Sequence, residues 1–310
     1  MAADLASTSY DVAVVGGGPA GLSAALWLAR YLHRVVVVDS GDPRNWQTRG
    51  VNGYLGLPHV RPAELRRRGR DECRRYGVEL VDGCVETARK EGDERFVLAL
   101  GSGRRIESRR LLLAIGIRDV WPDIPGLDHV YGETAHVCPD CDGYETLGRK
   151  TVVVGSGRKA VGMALDLATW TREIIVCTNG QAPGIDDFLC GKLDALGIPV
   201  LTQRILGVES HDGELHALRL EDGMELDCEQ LFFSIAQYPA DDLGQQLGCT
   251  RDDTGQIVID AHYHTSVHNV YAAGDIVPGP QLAIAAASDG AIAALALHHS
   301  LLPPELRLDR

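Results

Sequence analysis

Apolar positions along the chain recur in one order: a short continuous run, a glycine-rich break, then a longer stretch with apolar residues every three or four positions. DVAVVGGGPAGLSAALWLAR (residues 11–30) is the first instance, and KTVVVGSGRKAVGMALDLATW (150–170) is the second. The continuous runs predict strands buried on both faces, and the 3.6-residue period predicts helices packed on them. Each unit is followed by another apolar run, RVVVVDS (34–40) and EIIVCTNG (173–180). Strands alternating with helices predict an α/β fold with parallel sheets. A third piece, TSVHNVYAAGD (265–275), reads as a short strand. Pro278-Gly279-Pro280 then introduces QLAIAAASDGAIAALALHH (281–299), a helix apolar nearly all round and so expected to be buried. In RPAELRRRGRDECRR (61–75) the arginines alternate with Glu64, Asp71 and Glu72 at helical spacing, which predicts a solvated helix face.

The glycines in the breaks carry chemistry. Gly16-x-Gly18-x-x-Gly21 lies between a strand and a helix, and Asp39 ends the next strand 23 positions after Gly16. The first glycine permits the tight turn, the second lets a pyrophosphate approach the backbone, and the third lets helix and strand pack closely. An acid near that offset bonds a ribose hydroxyl. The pattern predicts a bound adenine dinucleotide. The second turn has Gly155, Gly157 and Ala160, but the same offset lands on Thr178. Neither an acid for a ribose nor a base for a 2′-phosphate stands there. This turn either holds a nucleotide, with Arg158 and Lys159 at its pyrophosphate, or survives for packing alone.

ESRRLLLAIGIRDVWPDIPG (107–126) reads as a crossover out of the first unit, and QYPADDLGQQLG (237–248) as the return. The expected architecture is two Rossmann-like, three-layer α/β domains. The first is discontinuous (1–117 and 246–310), and the second (118–245) is inserted into it.

Composition narrows the function. With 310 residues, 45% of them hydrophobic, the chain can build two cores. A net charge of −13 argues against nucleic-acid binding. No apolar leader follows Met1 and no run approaches the roughly 20 residues of a membrane span, so a cytoplasmic protein is expected. Six of eight cysteines are scattered singly, as expected of buried small hydrophobes. Cys138 and Cys141 instead form CPDCDGYE (138–145). A zinc site needs about four ligands, and even with His136 a fourth is missing, so no metal is expected. A static disulfide suits a reducing compartment poorly. A redox pair that turns over remains, because CxxC geometry activates one thiol. Asp142 is placed to hand a proton to a leaving thiolate, or it is a turn residue before Gly143.

GGGPAG, the Ala114-x-Gly116 turn, CPDCDGYE, GSGRKA and TSVHNVYAAGD stand in the order seen in low-molecular-weight thioredoxin reductases, and the chain resembles that family over nearly its whole length. The resemblance implies an FAD-binding homodimer. It places Gly16, Gly18, Pro19, Ala20, Gly21, Asp39 and Ser40 at the ADP half of FAD. Asn52, Ala114 and Gly116 line the rest, with Gly274 and Asp275 beside the ribityl chain. Gln281, Leu282, Ala283 and Ile284 face the flavin. Cys141 lies against the flavin, Cys138 exchanges with substrate, and Asp142 is the acid.

Where the family carries a His-Arg-Arg-x-x-x-Arg run that grips the 2′-phosphate of NADPH, this chain reads CTNGQAPG (177–184). Each lost charge-assisted bond is worth about 1.5–3 kcal/mol, and about 1.4 kcal/mol is tenfold in affinity. NADPH is therefore expected to reduce this protein poorly. Three functions follow as expectations. The first is a flavin-dependent reductase of thioredoxin or a similar disulfide, with NADPH bound unconventionally or a donor such as ferredoxin. The second is an oxygen-dependent oxidase of a small dithiol; such enzymes often carry His where Asp142 stands. The third is a non-catalytic flavin-binding redox sensor.

Overall fold

The computed structural model describes residues 9–308. Residues 1–8, on which the expectation about a leader falls, and 309–310 lie outside the described residues.

The first apolar run forms β1 (Ser9–Val15), which enters α1 (Pro19–Arg30) and β2 (Val35–Asp39). A long loop leads to α2 (Pro62–Arg75) and β3 (Glu79–Asp82). β4 (Val85–Lys90), β5 (Phe96–Leu100) and β6 (Arg105–Leu113) follow. These strands make one sheet in the order β3-β2-β1-β6-β5-β4. The pairs β3-β2, β2-β1 and β1-β6 are parallel, and the β4-β5-β6 edge is antiparallel. Val12, Val14, Val35 and Val37 point to the helical side of this sheet, and Ala13, Val36 and Val38 to the other. The unbroken apolar runs arise from this burial on both faces.

The chain leaves by β7 (Ile117–Asp119) and then forms β8 (Ala135–His136) and the short helix α3 (Pro139–Asp142). The second strand–turn–helix unit gives β9 (Thr151–Val154), α4 (Gly157–Leu167) and β10 (Ile174–Cys177). α5 (Asp187–Asp194) and β11 (Val200–Leu201) follow. β12 (Ile205–His211), β13 (Glu214–Leu220) and β14 (Glu225–Asp227) make an antiparallel sheet of their own. β15 (Gln230–Phe233) completes a second parallel sheet, β11-β10-β9-β15-β8. Helices α4 and α5 cover one face of it, and the antiparallel sheet covers the other. The chain returns along β16 (Gln237–Pro239), antiparallel to β7, so both crossings run side by side. After α6 (Leu243–Gln246), β17 (Val270–Ala272) joins the C-terminal end of β6, and α7 (Ala283–Leu301) packs against α1.

Three sequence expectations change. α7 is not buried all round: Ile284, Ile292 and Leu295 are exposed, because only one side meets α1 and the sheet. α2 is not simply a solvated face: Arg70 is buried, and with Arg66 it ion-pairs Asp39. Of the six single cysteines, Cys84 is exposed and Cys190 half-buried, while Cys73, Cys177, Cys228 and Cys249 are in the interior.

Candidate active site

A cavity of about 330 Å³ opens between the first sheet and the dithiol turn of the second unit. Its walls bring together Gly16, Gly18, Pro19, Ala20, Asp39, Ser40, Asn52, Ala114, Gly116, Gly274, Asp275 and the segment Gln281–Ile284. Cys138, Cys141 and Asp142 line the same cavity. Of the residues expected there, Gly21 is the one behind the wall. A Cβ on Gly21 would stand 1.9 Å from the Gly16 carbonyl oxygen, and one on Gly16 would stand 2.1 Å from that of Ala114. These two glycines let the turn close. A Cβ on Gly18 would meet nothing within 4 Å, and no side chain caps the helix that Gly18 begins. Pro19 has no N–H, so Ala20 and Gly21 present the uncapped donors of the first turn. Open space before unpaired N–H groups is what a pyrophosphate requires, and the cradle fits a dinucleotide.

Charged groups around the cavity form two networks. Asp39 accepts the Gly41 N–H at one oxygen, and Arg66 and Arg70 hold the other. Arg44, in the loop after β2, grips Asp119 with Nε and Nη2, both at 2.8 Å. Its Nη1 reaches Asp275 at 3.2 Å and Gln281 Oε1 at 2.9 Å. Burial pushes the Asp275 carboxyl up from its ordinary value, and the Arg44 guanidinium opposes the shift. Burial pushes the Tyr131 hydroxyl on the same wall up to about 12. Arg44, Arg66 and Asp119 were not legible in the sequence, since nothing in their local spacing marks a cavity wall.

Cys138 and Cys141 are joined as a disulfide. Cys138 sits at the N-terminus of α3, where its Sγ accepts the Cys141 N–H at 3.1 Å. Gly143 follows because Trp170 fills the space a side chain would need; its ring carbons would lie 2.4 Å from a Cβ. Asn52 comes from the loop between β2 and α2 and ties the first unit to this turn. Its Nδ2 donates to the Cys141 carbonyl at 3.3 Å and to Asp142 Oδ1 at 3.2 Å. The other Asp142 oxygen lies 3.5 Å from His136 Nδ1.

The second glycine turn is arranged differently. The loop after β10 folds back over it, and the Gly157 N–H donates to the Pro183 carbonyl at 2.8 Å. Gly184 lies against Gly157: a Cβ on Gly184 would stand 3.8 Å from the Gly157 Cα. Ser156 Oγ donates to Gln181 Oε1 at 3.0 Å. Thr178 Oγ1 donates to the Gln181 carbonyl at 2.6 Å, and Asn179 Oδ1 accepts the Ile205 N–H at 2.8 Å. A crevice of about 10 Å³ lies on the inner side of the turn, between Gly155, Ala160 and the core residues Val161, Val176, Leu193 and Val200. Arg158 and Lys159 are exposed. Thr178 is thus engaged within the loop, and Asn179 on the first residue of β12.

Whole-chain comparisons agree with this geometry. Residues 10–290 match the family model described as pyridine nucleotide-disulphide oxidoreductase. The chain is similar to thioredoxin reductase tcpT of Claviceps purpurea (strain 20.1), 32% identical over 279 residues that span 87% of each. It is 27% identical to the thioredoxin reductase of Helicobacter pylori (strain J99), over 93% of this chain and 97% of that one. Among solved structures it is similar to HlmI, with a TM-score of 0.90 and 35% identity over 94% of this chain and 92% of that one. It is also similar to the putative thioredoxin reductase TrxB from Bacillus anthracis, with a TM-score of 0.88 and 28% identity over 94% and 98%. The protein is a disulfide oxidoreductase whose cofactor is FAD. A dinucleotide cradle and a CxxC disulfide facing one cavity, together with these likenesses, place the chain in the pyridine nucleotide-disulphide oxidoreductase family, among its low-molecular-weight thioredoxin reductase-like members.

Proposed function

We propose that the protein exchanges electrons with a substrate dithiol through Cys138 and Cys141, draws none from a pyridine nucleotide, and passes them finally to dioxygen. The loop folded over the second turn carries the nucleotide-independent part of this reading, and dioxygen is the acceptor we assign to it. The backbone N–H of Gly157 is spent on Pro183, and the Ser156, Thr178 and Asn179 side chains are bonded within the chain. No basic residue between Cys177 and Gly184 answers a 2′-phosphate.

One substrate thiolate attacks a sulfur of the Cys138–Cys141 disulfide. That S–S bond breaks, and the departing cysteine takes a proton from Asp142. The second substrate thiolate then attacks the mixed disulfide, closes the substrate disulfide and frees the other cysteine. Two electrons have moved to the enzyme, and the two protons the substrate thiols released on ionising are matched by the one Asp142 gave to sulfur and one left in solvent. The Gly16–Gly21 turn, Asp39, Asp275 and Gln281–Ile284 would hold FAD, which would supply the two-electron acceptor for the dithiol. Asn52 holds the turn at the cavity, and Cys141, whose carbonyl it binds, is the sulfur we assign to that side. Cys138 is the sulfur we assign to substrate.

Asp142 itself supports a second direction, reduction of a thioredoxin-like disulfide with a protein donor such as ferredoxin. A carboxyl beside the cysteines protonates a leaving thiolate whichever way electrons run. Oxygen uptake with a small dithiol, one hydrogen peroxide per disulfide formed, separates the two. Anaerobic mixing with micromolar NADPH tests both: rapid loss of flavin absorbance would sink the nucleotide-independent reading.

We also take the units as domains 1–117 with 246–310, and 118–245. The paired crossings β7 and β16 support the first boundary and put the return at 237–239, so that Leu243 already packs in the first core. A homodimer is proposed from the exposed apolar stripe of α7. A cytoplasmic setting is proposed from the free, exposed Cys84. Among the described residues no helix is long and apolar enough to cross a membrane.

A further inference from the structure

His136 has no part in the chemistry above, yet the fold buries it beside the dithiol. It lies on β8, paired with Phe232 of β15, and is 7% exposed. A buried imidazole needs partners at both nitrogens. Gln230, 2% exposed, presents Oε1 to His136 Nε2 at 3.2 Å, so that nitrogen carries the hydrogen. Nδ1 is left with its lone pair toward Asp142 Oδ2 at 3.5 Å, within ion-pair range. Such contacts are often long before substrate binds. Asp142 Oδ1 is already engaged by Asn52.

We propose that His136 and Asp142 hold one exchangeable proton between them, with Gln230 fixing the imidazole, so that His136 sets how tightly the carboxyl keeps the proton it gives to a cysteine sulfur. The inference rests on the dithiol being the exchange centre. Loaded, the pair is neutral: either a carboxylic acid facing a neutral imidazole, or a carboxylate facing an imidazolium. When a cysteine leaves as thiolate, the proton passes from the carboxyl to sulfur and the pair becomes singly negative. No electron moves in this step, and the proton returns when a thiol is deprotonated in the next half-reaction. His136 acts through Asp142 and is a positioning residue. Other groups leave this proton alone. Tyr131, which feels Asp142, is held protonated by burial up to about 12. His59 reaches the pair only through Asn52, and the Phe232 ring covers the imidazole, with ring centres 5.2 Å apart.

The test follows reduction of the Cys138–Cys141 disulfide in the flavin-loaded protein by dithiothreitol, quenched with an alkylating agent and counted by mass spectrometry. It covers about pH 5–9, the range where an imidazole exchanges its proton. His136→Asn is expected to slow reduction on the order of 10-fold at neutral pH. It should also move the falling alkaline limb to lower pH, because a carboxyl alone ordinarily keeps its proton less well than an imidazole. The double variant with Asp142→Asn should be no slower than Asp142→Asn alone, since both act on one proton. Equal fold-losses in both backgrounds, or an unmoved limb, overturn the proposal. Should His136→Asn fail to retain flavin, Gln230→Leu is expected to move the same limb by less, and an unmoved limb there overturns it equally. A wild-type disulfide that dithiothreitol never opens removes the exchange reading and this inference together.

Discussion

Asp39 shows how far a single residue can be read. Its place at the end of β2 and its acidity were legible, because both follow from an offset along the chain. Its partners Arg66 and Arg70 were not, since they arrive from α2 and only the fold sets them beside β2. The cysteines sort in the same way. Cys73 and Cys228 are thiols that burial pushes up to about 12. Native protein should therefore take up iodoacetamide at Cys84, then Cys190, while Cys73 and Cys228 react only in denaturant; peptide mapping at pH 8 reads this. Because their folded values are raised above an ordinary value of 9.0, their contribution to stability is complete below that value. It is lost as pH rises toward about 12, so Cys228→Ala should flatten the alkaline fall in melting temperature. For the reactive pair, Cys138→Ser and Cys141→Ser should each leave flavin bound and remove nearly all dithiol turnover, since the two sulfurs act as one unit. Asp142→Asn, which spares the sulfurs, should cost about 10–100-fold.

At the scale of elements, the two glycine turns look alike in sequence and differ in what lies above them. Strand, turn and helix follow from period and glycine placement, and both units formed where that pattern put them. What covers each turn depends on a loop whose path no local pattern encodes. In the first, Gly18 faces open space while Gly21 is hemmed in by Gly16. Gly21→Ala should destabilise the flavin-free protein, on the order of 3 kcal/mol, by forcing the turn apart. Gly18→Val should leave its melting temperature nearly unchanged yet strip flavin on gel filtration. Comparing the two melts and the bound flavin checks both. In the second turn, placing arginines at Asn179 and Gln181 should fail to restore fast reduction by NADPH. Added charges leave the loop in place, because the Pro183 carbonyl still occupies the Gly157 N–H. Fast reduction by NADPH in that double variant would show the loop to be no barrier.

For the whole molecule, α7 shows how packing changes a residue's meaning. An all-round apolar helix suggested complete burial, yet Ile284 opens on the cavity and Ile292 and Leu295 are exposed. Ile292→Glu with Leu295→Glu should shift the protein toward a monomer on gel filtration with light scattering, with no loss of the flavin spectrum. A wild-type monomer would remove the dimer. The sequence alone determined what depends on short range: strand and helix order, the dinucleotide turn, the position of CxxC-Asp, and the lack of a basic residue from 177 to 184. These are set by backbone sterics, by period and by the chemistry of neighbouring residues. Tertiary structure decided which distant groups meet: Asn52 on the dithiol turn, Arg44 between Asp119 and Asp275, His136 against Asp142, and Pro183 on Gly157. Each joins segments whose separation along the chain carries no signal, because burial and hydrogen bonding act through space.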